Sequence, residues 1–597
     1  MDLQSSGVSV SNLGLPTIHA ECADHQVLVC VSRVFQTRRE WSGQNAFPGR
    51  KTHAKRPSLS YDTCGLVKTK ANHMSSQSEY DAIVIGSGIG GLAFASIMAK
   101  LRSWRVLVLE RHFKIGGFTH TFTRPGGWSW DVGLHYVGEM GEGMTGRLLF
   151  DFITDGGVTW NSMPNVYDVF VYPHLQVKAS KGQANFLAAL NDAFPSERAN
   201  IEQYFRDVKS AMRWFNRHVM ALAAPAPLSH LVRVVNRLSA GLPLEVTRHY
   251  LERRFRDQRL RAVVTSQWAD YGLPPGQSAF ATHAVIATHY LNGAWYPAGG
   301  AGEIAKATGA TIRAAGGELL PNHEVTRILL ENDRAVGVEV NIRKGKQGAC
   351  AQFLAPVVVS DAGAWNTFAR MLPASALPFR EELKSPPEGF EVVELFLGLR
   401  RDPREMGFQG ENYWIFESFD HDEMYSERNA LLGGRAVMAY LSFPSLKDSS
   451  AQRHTAEIIA PLSYRSLKEH RDEPWRRRGA DYDSAKNRMT KALLDLVERH
   501  HPGFGDLVEY AELGTPLTFE HFTAAPSGAI YGYPATPEKY RKTWLGPRTP
   551  VRDLYLTGSD VASLGIMGAL MGAVVTASCL LGRLGFIEVM RAARSRS

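Results

Sequence analysis

Twelve residues constrain this chain more than any others: Tyr80-Asp81-Ala82-Ile83-Val84-Ile85-Gly86-Ser87-Gly88-Ile89-Gly90-Gly91. An apolar run leads directly into Gly-x-Gly-x-x-Gly, and Leu92 to Lys100 then read as a helix. A second apolar run, Arg105 to Leu109, follows and ends at Glu110. Strand, glycine turn, helix, strand and acid form one unit, and each glycine has its own physical reason. Gly86 permits the tight turn, Gly88 lets backbone amides approach a pyrophosphate, and Gly91 lets the helix pack closely on the strand. The helix N-terminus presents its positive dipole end to the phosphates. Glu110 follows Gly91 by about 20 residues, the separation expected of an acid that binds a ribose hydroxyl. Alone, Gly-x-Gly-x-x-Gly is a weak signal that often marks a flexible loop. Its flanking elements here make it a dinucleotide site.

A chain of 597 residues exceeds one hydrophobic core, so two or more domains are expected. The net charge of +8 is modest for this length, and Lys and Arg are interleaved with acids nearly everywhere. That pattern argues against a nucleic-acid binder and slightly favours an anionic membrane surface or acidic ligands. Cys22, Cys30, Cys64, Cys350 and Cys579 form no Cys-x-x-Cys and no Cys/His ligand spacing, so neither a disulfide framework nor a metal site is expected. Residues 1–73 are Ser-, Thr-, Arg- and Lys-rich with little periodicity. Three readings stand for them: an organelle-targeting peptide, a disordered extension, or a misassigned start with translation beginning at Met74. Glu21, Asp24, Glu40 and Asp62 weaken the first.

Further along, Asn185–Phe194 and Ile201–His218 read as amphipathic helices, the first stopped by Pro195. From Arg206 to Arg261, Met212, Trp214, Phe215, Leu231, Val234, Val235 and Leu238 lie among many Arg and Lys. This stretch is either an ordinary solvated helical face or a monotopic patch dipping into lipid with arginines at headgroup level. Gly300-Ala301-Gly302-Glu303-Ile304-Ala305 mimics a second dinucleotide turn, but Tyr296-Pro297 precedes it in place of an apolar strand. A helix over Gly302–Ala315 is therefore predicted, and no second nucleotide fold. Strands are predicted at Glu324–Leu330 and Ala335–Ile342, turning at Asn332-Asp333, and again at Ala355–Ser360. A helix over Ser484–His500 ends at His501-Pro502-Gly503, where the histidine pair reads as a helix C-terminal cation. Near the C-terminus, Asp553–Asp560 is a strand entering a turn, and Ala562–Leu581 carries no charge. The latter is long enough to span a bilayer. Gly565, Gly568 and Gly572, however, clear one face of side chains as close helix packing requires. A buried helix of the nucleotide domain is the preferred reading. Its N-terminal amides would face the cofactor and stabilise negative charge on a reduced flavin ring.

Several strings together resemble one flavoprotein family. They are Leu107-Val108-Leu109-Glu110-Arg111-His112, Gly116-Gly117-Phe118-Thr119-His120-Thr121-Phe122, Trp130-Asp131-Val132-Gly133-Leu134-His135-Tyr136-Val137-Gly138, Trp295-Tyr296-Pro297-Ala298-Gly299-Gly300, Thr515-Pro516-Leu517-Thr518, Gly528-Ala529-Ile530-Tyr531-Gly532 and Tyr555-Leu556-Thr557-Gly558-Ser559-Asp560. The family comprises bacterial-type phytoene desaturases, plant-type carotenoid isomerases and retinol saturases, and the Gly-Gly-x-x-His-Thr-Phe and Gly-x-His-Tyr-x-Gly strings tilt the resemblance towards the saturase branch. The resemblance covers roughly Glu79 to Leu584. It implies FAD as cofactor and an α/β fold with a Rossmann-type FAD-binding domain built from discontinuous segments. Those segments would be residues 74–145, 293–365 and 545–597. A mixed α+β domain of residues 146–292 and 366–544 would bind substrate and dock on membrane. The resemblance also implies that Gly86, Gly88 and Gly91 cradle the pyrophosphate, that Glu110 binds the adenosine ribose and that Gly117 passes close to the phosphates. Val325 is the implied backbone partner of the adenine, Asp560 would contact the ribityl–pyrophosphate part, and Met567 and Gly568 would lie beside the flavin ring. Phe118 is a departure, because many relatives of this fold carry Arg after the glycine pair.

Polyene chemistry on a flavin needs little acid–base apparatus, since the cofactor transfers the hydride and the protein positions the double bond. Saturation additionally needs a proton donor. His120, His135, Tyr136 and Glu139 fall in the loop expected beside the flavin, with His135 the first candidate and His120 and Tyr136 the others; the alternative for each histidine is a core residue that orients the loop. With no NAD(P) fold in prospect, electrons would come from an external donor, and an apolar polyene substrate would be extracted from a membrane surface by a peripheral enzyme on the cytoplasmic side. The expected activity is an FAD-dependent saturase of a retinoid or carotenoid double bond. The alternatives are a phytoene-type desaturase, a carotenoid cis–trans isomerase, an amine oxidase, and a non-enzymatic prenyl-lipid carrier similar to the GDP-dissociation inhibitors.

Overall fold

The computed structural model describes residues 80–595, apart from 345, 346, 374 and 376. The expectations for residues 1–73 lie outside the described residues. Two sheets organise the rest. The first is parallel and five-stranded, in the order Leu554–Leu556, Val358–Ser360, Ala82–Ile85, Val106–Leu109, Glu318–Leu320. Its two best-defined strands read Ala-Ile-Val-Ile and Val-Leu-Val-Leu and are wholly buried, as strands covered on both faces by helices must be. Helices Ile89–Arg102, Gly302–Ala314 and Gly565–Leu581 share one apolar core with these strands. The strands come from three separated stretches of chain, so the nucleotide fold is discontinuous.

The second sheet has seven strands, in the order Val508–Gly514, Val392–Leu399, His454–Pro461, Met438–Ser442, Asn412–Phe416, Val166–Tyr172, Leu175–Ser180. All neighbours in it are antiparallel except Asn412–Phe416 with Val166–Tyr172. Alternation gives it two different faces. Val393, Leu395, Leu397, Ala439, Leu441, Ala456 and Ile458 pack against helix Gly479–His500. Glu394, Phe396, Trp414, Tyr440 and Glu457 point the other way.

Most predicted elements are present with small shifts of their ends. Asn332 and Asp333 both take left-handed φ, 49° and 59°, and close the hairpin His323–Glu331 with Arg334–Lys344. A third strand of that ribbon, Gln347–Leu354, was not predicted: Gln-Gly-Ala-Cys-Ala-Gln-Phe-Leu has no β-branched residue, and pairing with Arg334–Lys344 supplies what propensity does not. Trp295–Pro297 pairs antiparallel with Trp160–Ser162 and not with the parallel sheet, so Gly300–Ala305 starts a helix and no dinucleotide turn. The uncharged C-terminal stretch is the buried helix Gly565–Leu581, and among the described residues no helix is long and apolar enough to cross a membrane. One member of the histidine pair departs from the expectation. His501 packs on Phe408 and Tyr413, and burial pulls its imidazole down to about 4, so at neutral pH it is no helix-end cation.

Candidate functional site

The fingerprint residues converge on one cradle. Gly86 has φ +93°, which a side chain would strain. Gly91 sits so close to the Gly86 carbonyl that any side chain there would separate helix from strand. The Glu110 carboxylate is buried at the end of its strand and accepts the Ser87 amide at 2.9 Å, the Ser87 hydroxyl at 2.7 Å and the His112 amide at 2.7 Å. Ser87 Oγ also accepts the Gly116 amide at 3.1 Å, which ties the Gly116-Gly117 pair to the fingerprint. A Cβ on Gly117 would lie 3.0 Å from Gly88 Cα, so bare backbone faces bare backbone across the cradle. The His323 amide donates to the Glu110 carbonyl at 2.8 Å, which brings the strand holding Val325 alongside Glu110, with the Val325 side chain buried and its Cα opposite Val340.

Asp560 is buried, and its side chain accepts the Tyr533 amide at 2.6 Å and the Ala364 amide at 2.7 Å. It pins two loops beside the glycine turn, and its carboxylate oxygens are engaged by protein. Helix Gly565–Leu581 begins next to it. Gly572 lies against the Gly558 carbonyl and Gly568 against the Ser563 carbonyl, so this helix seats on backbone. A Cβ on Gly146 would be 3.0 Å from the Met567 methyl, placing Met567 on the first turn between this helix and Thr145–Thr154.

Sequence reasoning missed Asp361, which follows strand Val358–Ser360 and touches the same turn. A Cβ on Gly88 would lie 2.6 Å from its Oδ2, and the Gly91 amide donates to its side chain. Burial raises this carboxyl to about 7, with Glu110 and Asp560 adding to the rise and the Gly91 amide opposing it. Below that pH it is neutral and compatible with a pyrophosphate; above it, a carboxylate and a phosphate diester compete for the same helix N-terminus. Flavin retention is therefore expected to fall as pH rises through about 7, and Asp361→Asn is expected to flatten that dependence. Fluorescence of released flavin across the range checks it.

The candidate proton donors separate. His120 Nδ1 lies 2.6 Å from the Gly117 carbonyl, and burial drops its imidazole to about 4, so it is a neutral residue anchoring the glycine pair and no proton donor at neutral pH. The Tyr136 hydroxyl is also committed, lying 2.9 Å from Asp270 and 3.1 Å from Asp168 with its ring stacked on Tyr290 at 4.3 Å. Burial raises its phenol well above the usual range, and it raises Asp168 to about 6 and Asp270 to about 8. His135 differs. It stays partly exposed between the nucleotide half and the seven-stranded sheet, with Nδ1 2.8 Å from Glu457 Oε2 and Nε2 3.9 Å from Glu394 Oε1. Lys447 Nζ donates to the His135 carbonyl at 2.9 Å, to Asn412 Oδ1 at 2.6 Å and to Ser442 Oγ at 2.7 Å. Phe118, the departure from the expected Arg, packs on Gly133 and fixes the approach to this loop. Asp131, also missed, holds the loop's other side: its oxygens accept the Ala301 amide and the Tyr296 hydroxyl, which explains the Trp295–Gly300 string.

A small cavity with room for about one water adjoins this polar network. Tyr167, Phe170, Phe186, Tyr204, Phe205 and Leu291 line it, and Gln267 at its edge donates to Asp168 at 2.7 Å. The cradle itself suits a flavin dinucleotide: the glycines leave backbone where side chains would block a pyrophosphate, and a buried acid ends the second strand.

Comparison with known proteins agrees with that fit. Residues 84–151 match the family described as NAD(P)-binding Rossmann-like domain, and residues 172–387 match the FAD binding domain family. The rat protein named all-trans-retinol 13,14-reductase is 33% identical over 528 residues, spanning 84% of this chain and 86% of that protein. The protein of an Oncidium hybrid cultivar named prolycopene isomerase 2, chloroplastic, is 26% identical over 87% of this chain and 86% of its own. The solved structure of an oxidoreductase from Methanosarcina mazei shares the fold at a TM-score of 0.53 and 15% identity, covering 82% of this chain and 98% of that one. Likeness of this extent over most of both chains makes this protein a member of the all-trans-retinol 13,14-reductase family, the retinol saturases, and hence an FAD-dependent oxidoreductase acting on CH–CH groups.

Proposed function

We propose that this enzyme adds two hydrogens across one double bond of a retinoid or carotenoid polyene. The observation that carries the reading is His135, a partly exposed imidazole bonded to the buried carboxylate of Glu457 and standing between the cradle and the sheet floor. The chemistry FAD supplies when bound is hydride transfer. The protein's own residues do the rest. Glu457 fixes the imidazole through Nδ1, so Nε2 is the nitrogen left to hold the proton delivered to the carbon beside the hydride acceptor. Electrons come from an external donor. Anaerobic mixing of the chemically reduced enzyme with all-trans-retinol is expected to reoxidise the flavin; flavin that stayed reduced would count against the reading.

Helix Ala226–Leu238 is turned inside out, and it supports a membrane-docking role. Its buried residues are Ser229 and Asn236, whereas Leu231 is 62% exposed, Val234 55% and Leu238 84%. Polar contacts hold it there: Asn236 exchanges hydrogen bonds with Trp214, and Arg217 donates to Asn236 Oδ1 at 3.0 Å. From Val208 to Leu244 the chain has no acid, while Lys209, Arg213, Arg217, Arg233 and Arg237 all fall there. An apolar ridge ringed by cations fits an anionic bilayer face, as on the cytoplasmic side. The neighbouring helix Arg198–Ala223 links ridge to cavity, since Tyr204 and Phe205 line the cavity and Trp214 and Arg217 hold the ridge. Leu231→Glu with Leu238→Glu is expected to weaken binding to phosphatidylserine vesicles at least about 10-fold, given ~1.5–3 kcal/mol per buried leucine, with the flavin spectrum unchanged. Sedimentation with vesicles measures it, and undiminished binding would remove the ridge from the account.

A further inference from the structure

Strands Val392–Leu399 and His454–Pro461 are mostly apolar, yet each carries one acid on its site-facing side, Glu394 and Glu457. Glu394 lies opposite Ile459, and Glu457 opposite Phe396, so the two are diagonal neighbours on adjacent strands. Both are buried, and Glu394 Oε1 and Glu457 Oε1 have no hydrogen-bond partner among the described residues. These acids and His135 present atoms that all lie within 4.8 Å of one another. Two orphaned carboxylate oxygens in an apolar sheet are costly unless a proton or a ligand meets them.

We propose that Glu394 is a buried proton store for His135: Glu457 orients the imidazole, and Glu394 reloads it through Nε2. The inference rests on the saturase reading above. The remaining groups facing the cluster fit a neutral acid at Glu394. Asp131 approaches from strand Ser129–Asp131, Tyr440 from the adjacent strand with its ring edge-on to His135 at 5.4 Å, and Lys447 from the following turn. The buried acids Glu457, Asp168, Asp131 and Glu411 act on this one buried lysine, whose ammonium burial lowers to about 7. Burial first, then the charges of Glu457 and Asp131, hold the Glu394 carboxyl well above the usual range. The step balances simply. Hydride and proton add to adjacent carbons, His135 Nε2–H breaks as the new C–H forms, and the Glu394 O–H proton passes to Nε2. The resulting carboxylate takes a proton from solvent after product leaves. At 3.9 Å the O···N separation exceeds a hydrogen bond, so the transfer uses a small rotation or one bridging water.

Glu394 acts through His135 and is a positioning residue. Glu394→Gln keeps the shape and loses the store. In the FAD-loaded full-length enzyme it is expected to leave KM and the flavin spectrum unchanged and to lower kcat at least ~10-fold above neutral pH. Glu394→Asp is expected to recover part of the loss. A Gln variant with the native kcat would overturn the store. So would stoichiometric divalent metal in the native enzyme that the Gln variant lacks, because the cluster would then be a metal site. If the native enzyme adds no hydrogen to any polyene, the saturase reading fails first and the store falls with it; a native enzyme that does so isolates the store's own failure.

Discussion

A Gly88→Val protein is expected to purify without yellow colour while keeping its fold. Gly88 caps the first helix at φ −61°, a conformation valine can adopt, so the backbone is not the obstacle. Space is. On one side a Cβ would lie 2.6 Å from Asp361 Oδ2, and across the cradle Gly117 already approaches Gly88 to within contact. The valine methyls occupy the volume a pyrophosphate needs and screen the helix amides from it. A loss of at least about 100-fold in FAD affinity, ~2.7 kcal/mol, is expected. Calorimetric titration of the apoprotein with FAD measures it, with circular dichroism as the check on folding. A variant as yellow as the native protein would displace the pyrophosphate from this turn.

The second large effect belongs to His135. His135→Gln keeps a side-chain amide able to reach Glu457, so the buried carboxylate is not abandoned, but it cannot deliver a proton. Flavin content is expected to stay native and kcat for polyene reduction to fall about 10²- to 10⁴-fold, the usual worth of a positioned general acid. His120→Gln makes the contrast. With its imidazole held neutral against the Gly117 carbonyl, its loss is expected to loosen the glycine pair and lower FAD retention more than the rate of the loaded enzyme. Equal losses of kcat in both variants, each fully loaded with FAD, would contradict the division of labour drawn here.

What the sequence made legible was local. The strand–turn–helix–strand unit lies within about 30 residues, the size of such a unit, and its glycines and acid act where the chain itself puts them. The helix Gly565–Leu581 was readable too, because its glycine spacing reports packing on backbone. Asp361, Glu394 and Glu457 were not, since each gains its meaning from partners far along the chain. A signal was present nonetheless: a single acid in Val-Val-Glu-Leu-Phe-Leu-Gly-Leu or His-Thr-Ala-Glu-Ile-Ile-Ala-Pro is too costly to bury without purpose. The ridge Ala226–Leu238 shows the reverse limit. The stretch Arg206–Arg261 left a solvated helical face and a membrane patch equally open, and only packing revealed that Ser229 and Asn236 face inward while the leucines face out.

The central claim is that the reduced flavin and His135 together saturate a carbon–carbon double bond. The most direct test is the product mass after anaerobic incubation of the flavin-loaded, chemically reduced enzyme with all-trans-retinol and with carotenoid precursors. A gain of two hydrogens, lost in His135→Gln, is the predicted result. An unchanged mass with a new isomer, or loss of hydrogens from phytoene once the flavin is oxidised, would contradict it and assign the same fold to isomerisation or desaturation.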